Sequence, residues 1–195
     1  FRNVYKQETD FLRGYAAGFS AGRGHGPNTD GIGMDLKNNL LNPGQYGPWH
    51  VGSHMMGETL PKESNYVALD GSLKDEWGIP QLKVSMDYDD NDEKMVKDYL
   101  EQMTEMFTKA GFTNIQTSDS KQAPGLDIHE MGGVRMGKDP KTSMLNANHQ
   151  LHAVPNVYVT DGSSMTSTST QNPSLTYMAF AARAAHHAVA ESKKK

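Results

Sequence analysis

Apolar residues along this chain recur in distinct rhythms, and each rhythm predicts a different element. Over 92 to 110, Met95, Tyr99, Met103, Met106 and Phe107 return at three- and four-residue spacing, which predicts an amphipathic helix; Asp92 stands near its start and Gly111 supplies its stop. The methionines on that face read as core fillers. In QLKVSMDY the period is two, with Leu82, Val84 and Met86 on one side and Gln81, Lys83 and Ser85 on the other, the signature of a half-buried antiparallel strand. NYVALD alternates in part, and the DGS and WGIP stretches between the two runs carry turn chemistry. The expectation is an antiparallel sheet with strands around 65 to 69 and 81 to 88, backed by the 92 to 110 helix. Residues 1 to 48 show no comparable period and read as irregular, with FRNVY a short strand and GYAAGFSAGRGHGPNTDGIG a glycine-rich connector or ligand-edge loop. Near the other end, NVYVTDG reads as a short apolar strand at 156 to 160. NPSLTYMAFAARAAHHAVAES, alanine-rich and free of glycine, reads as a helix that forms a second layer with it. Asn172 occupies the expected N-cap and Pro173 the expected first helical position.

Composition narrows the classes. The 195 residues suffice for one good-sized domain, or one domain and part of another. With 36% hydrophobic residues and 19 glycines, loops and turns take a large share. The formal net charge is −4, and basic residues are scattered apart from Lys193, Lys194 and Lys195, so no nucleic-acid surface is indicated. No apolar run approaches the ~20 residues a membrane span requires. The absence of cysteine removes disulfides, thiolate catalysis, iron–sulfur clusters and cysteine-based zinc sites, and suits periplasm and cytoplasm equally. The sequence opens on Phe1 without a charged and apolar leader, and an upstream portion is expected.

The histidines separate by their neighbours. His186 and His187 are adjacent on a helix and point roughly 100° apart, which prevents joint chelation and suits surface and boundary positions. His50 and His54 have the spacing of a helical metal pair, but Pro48 and Gly52 argue against that helix. HEMGG is not the HExxH of a zinc protease. No metal site is indicated. His129 is different: it lies in DIHEMGGVRMG, where Gly132 and Gly133 permit close approach of the backbone to a flat partner. Downstream, the small and hydroxyl side chains of DGSSMTSTSTQNP lead into a helix start, whose unsatisfied N–H groups favour an anion. An imidazole, with an ordinary pKa of ~6.5, can accept a hydroxyl proton near neutrality.

HEMGGVRMG, NVYVTDGSSM and QNPSLTYMAFAARAAHHAV, in that order, resemble the C-terminal region of the glucose–methanol–choline (GMC) oxidoreductases, flavoenzymes that oxidise alcohols and sugars. The wording is most like the sugar and polyol dehydrogenase branch. LPKESNYVALDGSLKDEWGIPQLKVSMDYDDND is similar, more loosely, to that family's substrate-domain strands. The resemblance implies an α+β chain: an antiparallel-sheet substrate domain with helices over 1–125, then over 126–195 the closing strand and helix of an FAD-binding α/β domain. It implies FAD as cofactor and oxidation of a CH–OH group by hydride transfer to flavin N5. His129 takes the place of the active-site histidine and base. Asn172 takes the place of the second active-site residue, histidine in some members and asparagine in others. Asp161 and Gly162 match the segment that touches the cofactor, and the backbone at Asn172 and Pro173 matches the part that holds the pyrimidine end of the ring. The family's GxGxxG unit is absent from these residues. The resemblance therefore implies a C-terminal piece that is inactive alone and depends on an N-terminal FAD-binding portion, with a small sugar or alcohol as substrate and room for an electron-transfer partner subunit. The alternative from another class is a non-catalytic carbohydrate-binding or assembly module derived from the same fold. An unrelated hydrolase finds no nucleophile elbow here.

Overall fold

A computed structural model describes residues 2–3, 5–24, 31–41, 47–126 and 128–194. The chain is α+β, as expected, with two antiparallel two-stranded sheets and three helices among the described residues. Strands β1 (Tyr15–Arg23) and β2 (Trp49–Gly57) form the first sheet, and β3 (Tyr66–Lys74) and β4 (Pro80–Ser85) form the second. Helix α1 spans Met34–Leu41, α2 Asp90–Lys109 and α3 Ser174–Ser192.

β3 and β4 lie where period-two patterning put them, in a hairpin that pairs Val67 with Val84 and Leu69 with Leu82. The reading of 1 to 48 as irregular is corrected, since β1 and α1 occupy much of it. β1 alternates only small residues on one face (Ala16, Gly18, Ser20, Gly22), so its period carries little hydropathy contrast. The expected FRNVY strand is not formed at Arg2 and Asn3; Phe1 and Val4 lie outside the described residues.

α2 starts at Asp90, two residues earlier than the pattern suggested. Asp89 is its N-cap, and its carboxylate accepts from the Asn91 and Asp92 N–H groups while the Asp92 carboxylate accepts from the Asp89 N–H at 2.9 Å. The helix ends as expected: Gly111 follows the cap Ala110 at φ 84, a left-handed conformation that glycine adopts without Cβ strain. Its position is a second correction. α2 packs on β1 and β2 rather than on β3 and β4. Met95 and Tyr99 of the helix join Phe11 and Tyr15 in the buried core, Ala17, Met55 and Met103 pack against it, and Tyr99 Oη lies 2.8 Å from Ser53 Oγ. The physical reason is close approach: the sulfur of Met95 sits where a Cβ on Gly57 would come within 2.6 Å of it. Met106, expected in the core, is exposed. The Asp98 carboxylate seals the core edge, accepting from Arg2 Nε and Nη2, both at 3.0 Å, and from Tyr15 Oη at 2.7 Å. Burial first, and then this hydrogen bond, push the Tyr15 phenol well above its ordinary pKa.

The apolar face of the second sheet is therefore uncovered, with Val67, Leu69, Leu82 and Val84 all exposed. The strand expected at 156 to 160 is not formed either: Tyr158 makes a single antiparallel bridge with Gln150. A strand needs a continuous neighbour for its ladder, and the described residues supply one pairing position. The segment does lie against α3, through Tyr158 Oη and His187 Nδ1 at 3.0 Å. Among the described residues, no helix is long and apolar enough to cross a membrane.

Candidate active site

Residues 128 to 165 fold as stacked turns rather than as regular elements. The Val134 and Met136 N–H groups donate to the Ser163 and Ser164 carbonyls at 2.9 and 3.1 Å, so the GGVRM segment runs alongside 163–164. Leu145, fully buried, pins this layer: its carbonyl accepts from the Gly137 N–H at 2.8 Å, and its own N–H donates to the Arg135 carbonyl at 3.2 Å. Asp161 heads a one-turn 3₁₀ segment, Gly162–Ser164, and its carboxylate accepts from the Ser163 N–H at 2.9 Å. Gly162 is buried where three parts of the chain converge: a Cβ there would stand 2.7 Å from Tyr177 Oη, 2.9 Å from the Glu130 carbonyl oxygen and 3.1 Å from the Met131 sulfur. Glycine is required at that crossing.

The structure thus brings 130–136, 161–165 and the first turns of α3 into one place. His129 is half-buried at the edge of this crossing, in the left-handed region at φ 69, and its ring has no hydrogen-bond partner among the described residues. Gly132 is at φ 89, and Gly133 is exposed with nothing nearer than 3.8 Å to a Cβ built on it, so this strip of backbone is open to a flat group. Asp161 and Asn172 are exposed and Pro173 is buried.

The start of α3 differs from expectation by one residue. Pro173 is the N-cap, with its carbonyl accepting the first intrahelical bond from the Tyr177 N–H at 3.0 Å, and Asn172 stands outside the helix. No side chain caps α3. The proline cannot supply a capping side chain, and its buried ring sets the entry of the helix instead. The consequence is chemical: the N–H groups of the first turn are without a side-chain acceptor, and Ser174 and Leu175 are exposed there. A helix N-terminus without a side-chain cap and an open glycine strip are each suited to a flat ring with carbonyl acceptors, as the pyrimidine end of a flavin is.

Several features were not foreseen. Tyr177 holds Gly162 and Met131 together, and only its place one turn into the helix hinted at such a role. His149 is fully buried, packed on Phe180 at 4.4 Å between ring centroids, with neither ring nitrogen hydrogen-bonded among the described residues. Its sequence surroundings, NANHQ, are polar and gave no signal of burial. Burial lowers its pKa, Arg183 lowers it further, and the Val159 backbone opposes the shift while falling short of a hydrogen bond. His186 is exposed and His187 lies at the boundary, as their spacing suggested, while His50 and His54 are on strand β2. Ser143 Oγ and His152 Nε2 are 3.3 Å apart, but Nε2 also stands 3.1 Å from the Gly137 carbonyl, which only an N–H satisfies. That pair holds a turn and is no nucleophile and base.

Known proteins bear on this arrangement. 2-Methyl-1,2-propanediol dehydrogenase of Mycolicibacterium austroafricanum is 33% identical over 195 residues, covering 90% of this chain and 33% of that protein. Paromamine 6'-oxidase of Streptomyces fradiae is 35% identical over 125 residues, 64% of this chain and 23% of that protein. The gluconate 2-dehydrogenase flavoprotein of Pantoea cypripedii is 32% identical over 118 residues, 56% of this chain and 19% of that protein. The chain spans a third or less of the length of these relatives. The family model described as GMC oxidoreductase matches residues 61–181, which take in β3, β4, α2, the stacked turns and the first turns of α3. By that match, the chain belongs to the GMC oxidoreductase family and corresponds to its C-terminal region.

Proposed function

We propose that this chain supplies part of the substrate domain, over 1–125, and the closing segment of the FAD-binding domain, over 126–195, of an enzyme that oxidises a CH–OH group of a sugar, polyol or other alcohol. One observation carries the reading: the glycine strip after His129 docks along 163–164, Tyr177 of α3 closes on the same crossing at Gly162, and α3 itself starts without a side-chain cap. The names of the relatives agree, since a propanediol dehydrogenase, a paromamine oxidase and a gluconate dehydrogenase flavoprotein all act on hydroxylated small molecules.

In this reading, the backbone at Asn172 and Pro173 and the first turn of α3 hold the pyrimidine end of FAD, with Asp161 and Gly162 alongside. The flavin, when bound, supplies the hydride acceptor at N5. His129 accepts the proton of the substrate hydroxyl through a free ring nitrogen as the C–H bond breaks, and Asn172 donates a hydrogen bond to the same oxygen and keeps it in line. The donors at the start of α3 stabilise negative charge that develops beside them. The remainder of the FAD site comes from an N-terminal portion, and electrons leave to oxygen or to a partner subunit. The test is spectroscopic: full-length protein is expected to carry oxidised flavin that bleaches when sugars or polyols are added without oxygen. A protein free of flavin, or flavin inert to all of them, would overturn the reading in favour of a binding module.

A further inference from the structure

A hollow of about 250 Å³ lies between the start of β1, the end of β2 and residues Ser169 and Thr170, two or three positions before Asn172. Much of its wall is already committed. Arg2 and Tyr15 are bonded to Asp98, and the Asn3 amide donates to Thr9 Oγ1 and to the Phe11 and Arg13 carbonyls. Four polar groups are not. Arg13 and Glu58 carry opposite charges and line the same space, yet they form no ion pair with each other, and neither side chain has a partner among the described residues. Thr170 Oγ1 is buried and has no hydrogen-bond partner, and Ser169 is held at φ 56 with its hydroxyl unengaged. A buried hydroxyl without a partner is destabilising, so it calls for an occupant that supplies one.

We propose that this cavity is a subsite for the non-reacting hydroxyls of an uncharged polyol or sugar, with Glu58, Arg13 and Thr170 as specificity residues; the choice of polyol rests on the oxidation reading above. The chemistry selects the ligand. Each hydroxyl both donates and accepts, so one molecule can donate to Glu58, accept from Arg13 and satisfy Thr170 Oγ1. An anion would satisfy Arg13 and meet repulsion from Glu58; a cation would do the reverse. At about 250 Å³ the cavity has room for a sugar-sized unit. Thr170 stands two residues before Asn172 in the chain, the residue proposed to hold the reacting oxygen.

The test is calorimetric titration of the full-length protein, with any flavin it carries held reduced so that no turnover contributes heat, using D-glucitol, D-glucose and D-gluconate, with turnover measured separately. Glu58→Gln and Thr170→Val are expected to weaken binding of D-glucitol or D-glucose about tenfold or more, and to lower kcat/KM for them by at least the same factor. Thr170→Ser, which keeps the hydroxyl, is expected to bind as wild type does. Unchanged affinity in both loss variants, a wild-type protein that takes up neither neutral ligand, or a preference of tenfold or more for D-gluconate would overturn the proposal. Loss of D-glucitol binding in Glu58→Gln from a protein that carries no flavin would uphold the subsite and remove the oxidation reading instead.

Discussion

His129 sits where a residue with a β-carbon is strained, and such strain persists when the surroundings over-determine it. Here they do: the chain is clamped just after it by Glu130 and Met131 against Gly162 and Tyr177. His129→Ala in the full-length enzyme is expected to slow flavin reduction roughly 10²- to 10⁴-fold with little change in substrate affinity, measured by stopped-flow absorbance. Asn172→Ala is expected to slow it by a smaller factor and to leave the melting temperature unchanged, because Asn172 caps no helix. His149 yields a prediction of different sign. Its pKa is lowered by burial, so the folded state refuses a proton that the unfolded state takes up. The stability this neutral imidazole contributes is whole above the unfolded pKa of ~6.5 and is lost as pH falls from there through the lowered folded value. Urea titrations across that interval are expected to show the loss in wild type and a smaller one in His149→Leu. The two histidines also mark what a sequence reveals at this scale. His129 is conspicuous because the glycines that serve it are adjacent in the chain, whereas His149 owes its burial to Phe180, thirty-odd positions away in register with nothing local to announce it.

At the scale of elements, α2 is the part whose local and tertiary causes agree. Its capping box is written in the order of its own residues, and Met95, Tyr99 and Met103 of its apolar stripe lie on the face it packs into the core. Asp89→Ala is expected to cost about 1 kcal/mol through the lost cap, and Met95→Ala about 2–5 kcal/mol through the cavity left beneath Gly57; denaturant midpoints measure both. The helix and the β3–β4 hairpin were legible because period and turn residues are short-range properties. β1 was not, because alanine and glycine alternate without contrast. The partner of α2 was not legible either, since close approach to Gly57 depends on a missing side chain rather than a present one. The same limit applies at 156 to 160, where the apolar run is real but pairing is a property of the neighbour.

At the scale of the whole molecule, α3 has two apolar faces. Tyr177, Phe180, Ala184 and His187 face the stacked turns, while Leu175, Met178, Ala182, Ala185 and Val189, spaced by three and four, form a second stripe open to solvent. Leu175 and Met178 are 80% and 67% exposed, and the uncovered face of β3–β4 adds to them. Apolar surface of this extent drives association. The 195-residue chain is expected to self-associate in sedimentation velocity, Leu175→Glu with Met178→Glu to shift it toward monomer, and titrated FAD to bind it only weakly. The GMC membership was legible at this scale from three short motifs in order, and the geometry adds what they could not: that their meeting point is Gly162.

That meeting point has a consequence in time. A ribosome delivers His129 well before Tyr177, and at ~5–20 residues per second the interval lasts a few seconds. Until α3 emerges and turns back, Gly162 and the loop after His129 lack their clamp, so synthesis passes through a stage at which His129 exists without the contacts that fix the loop beside it.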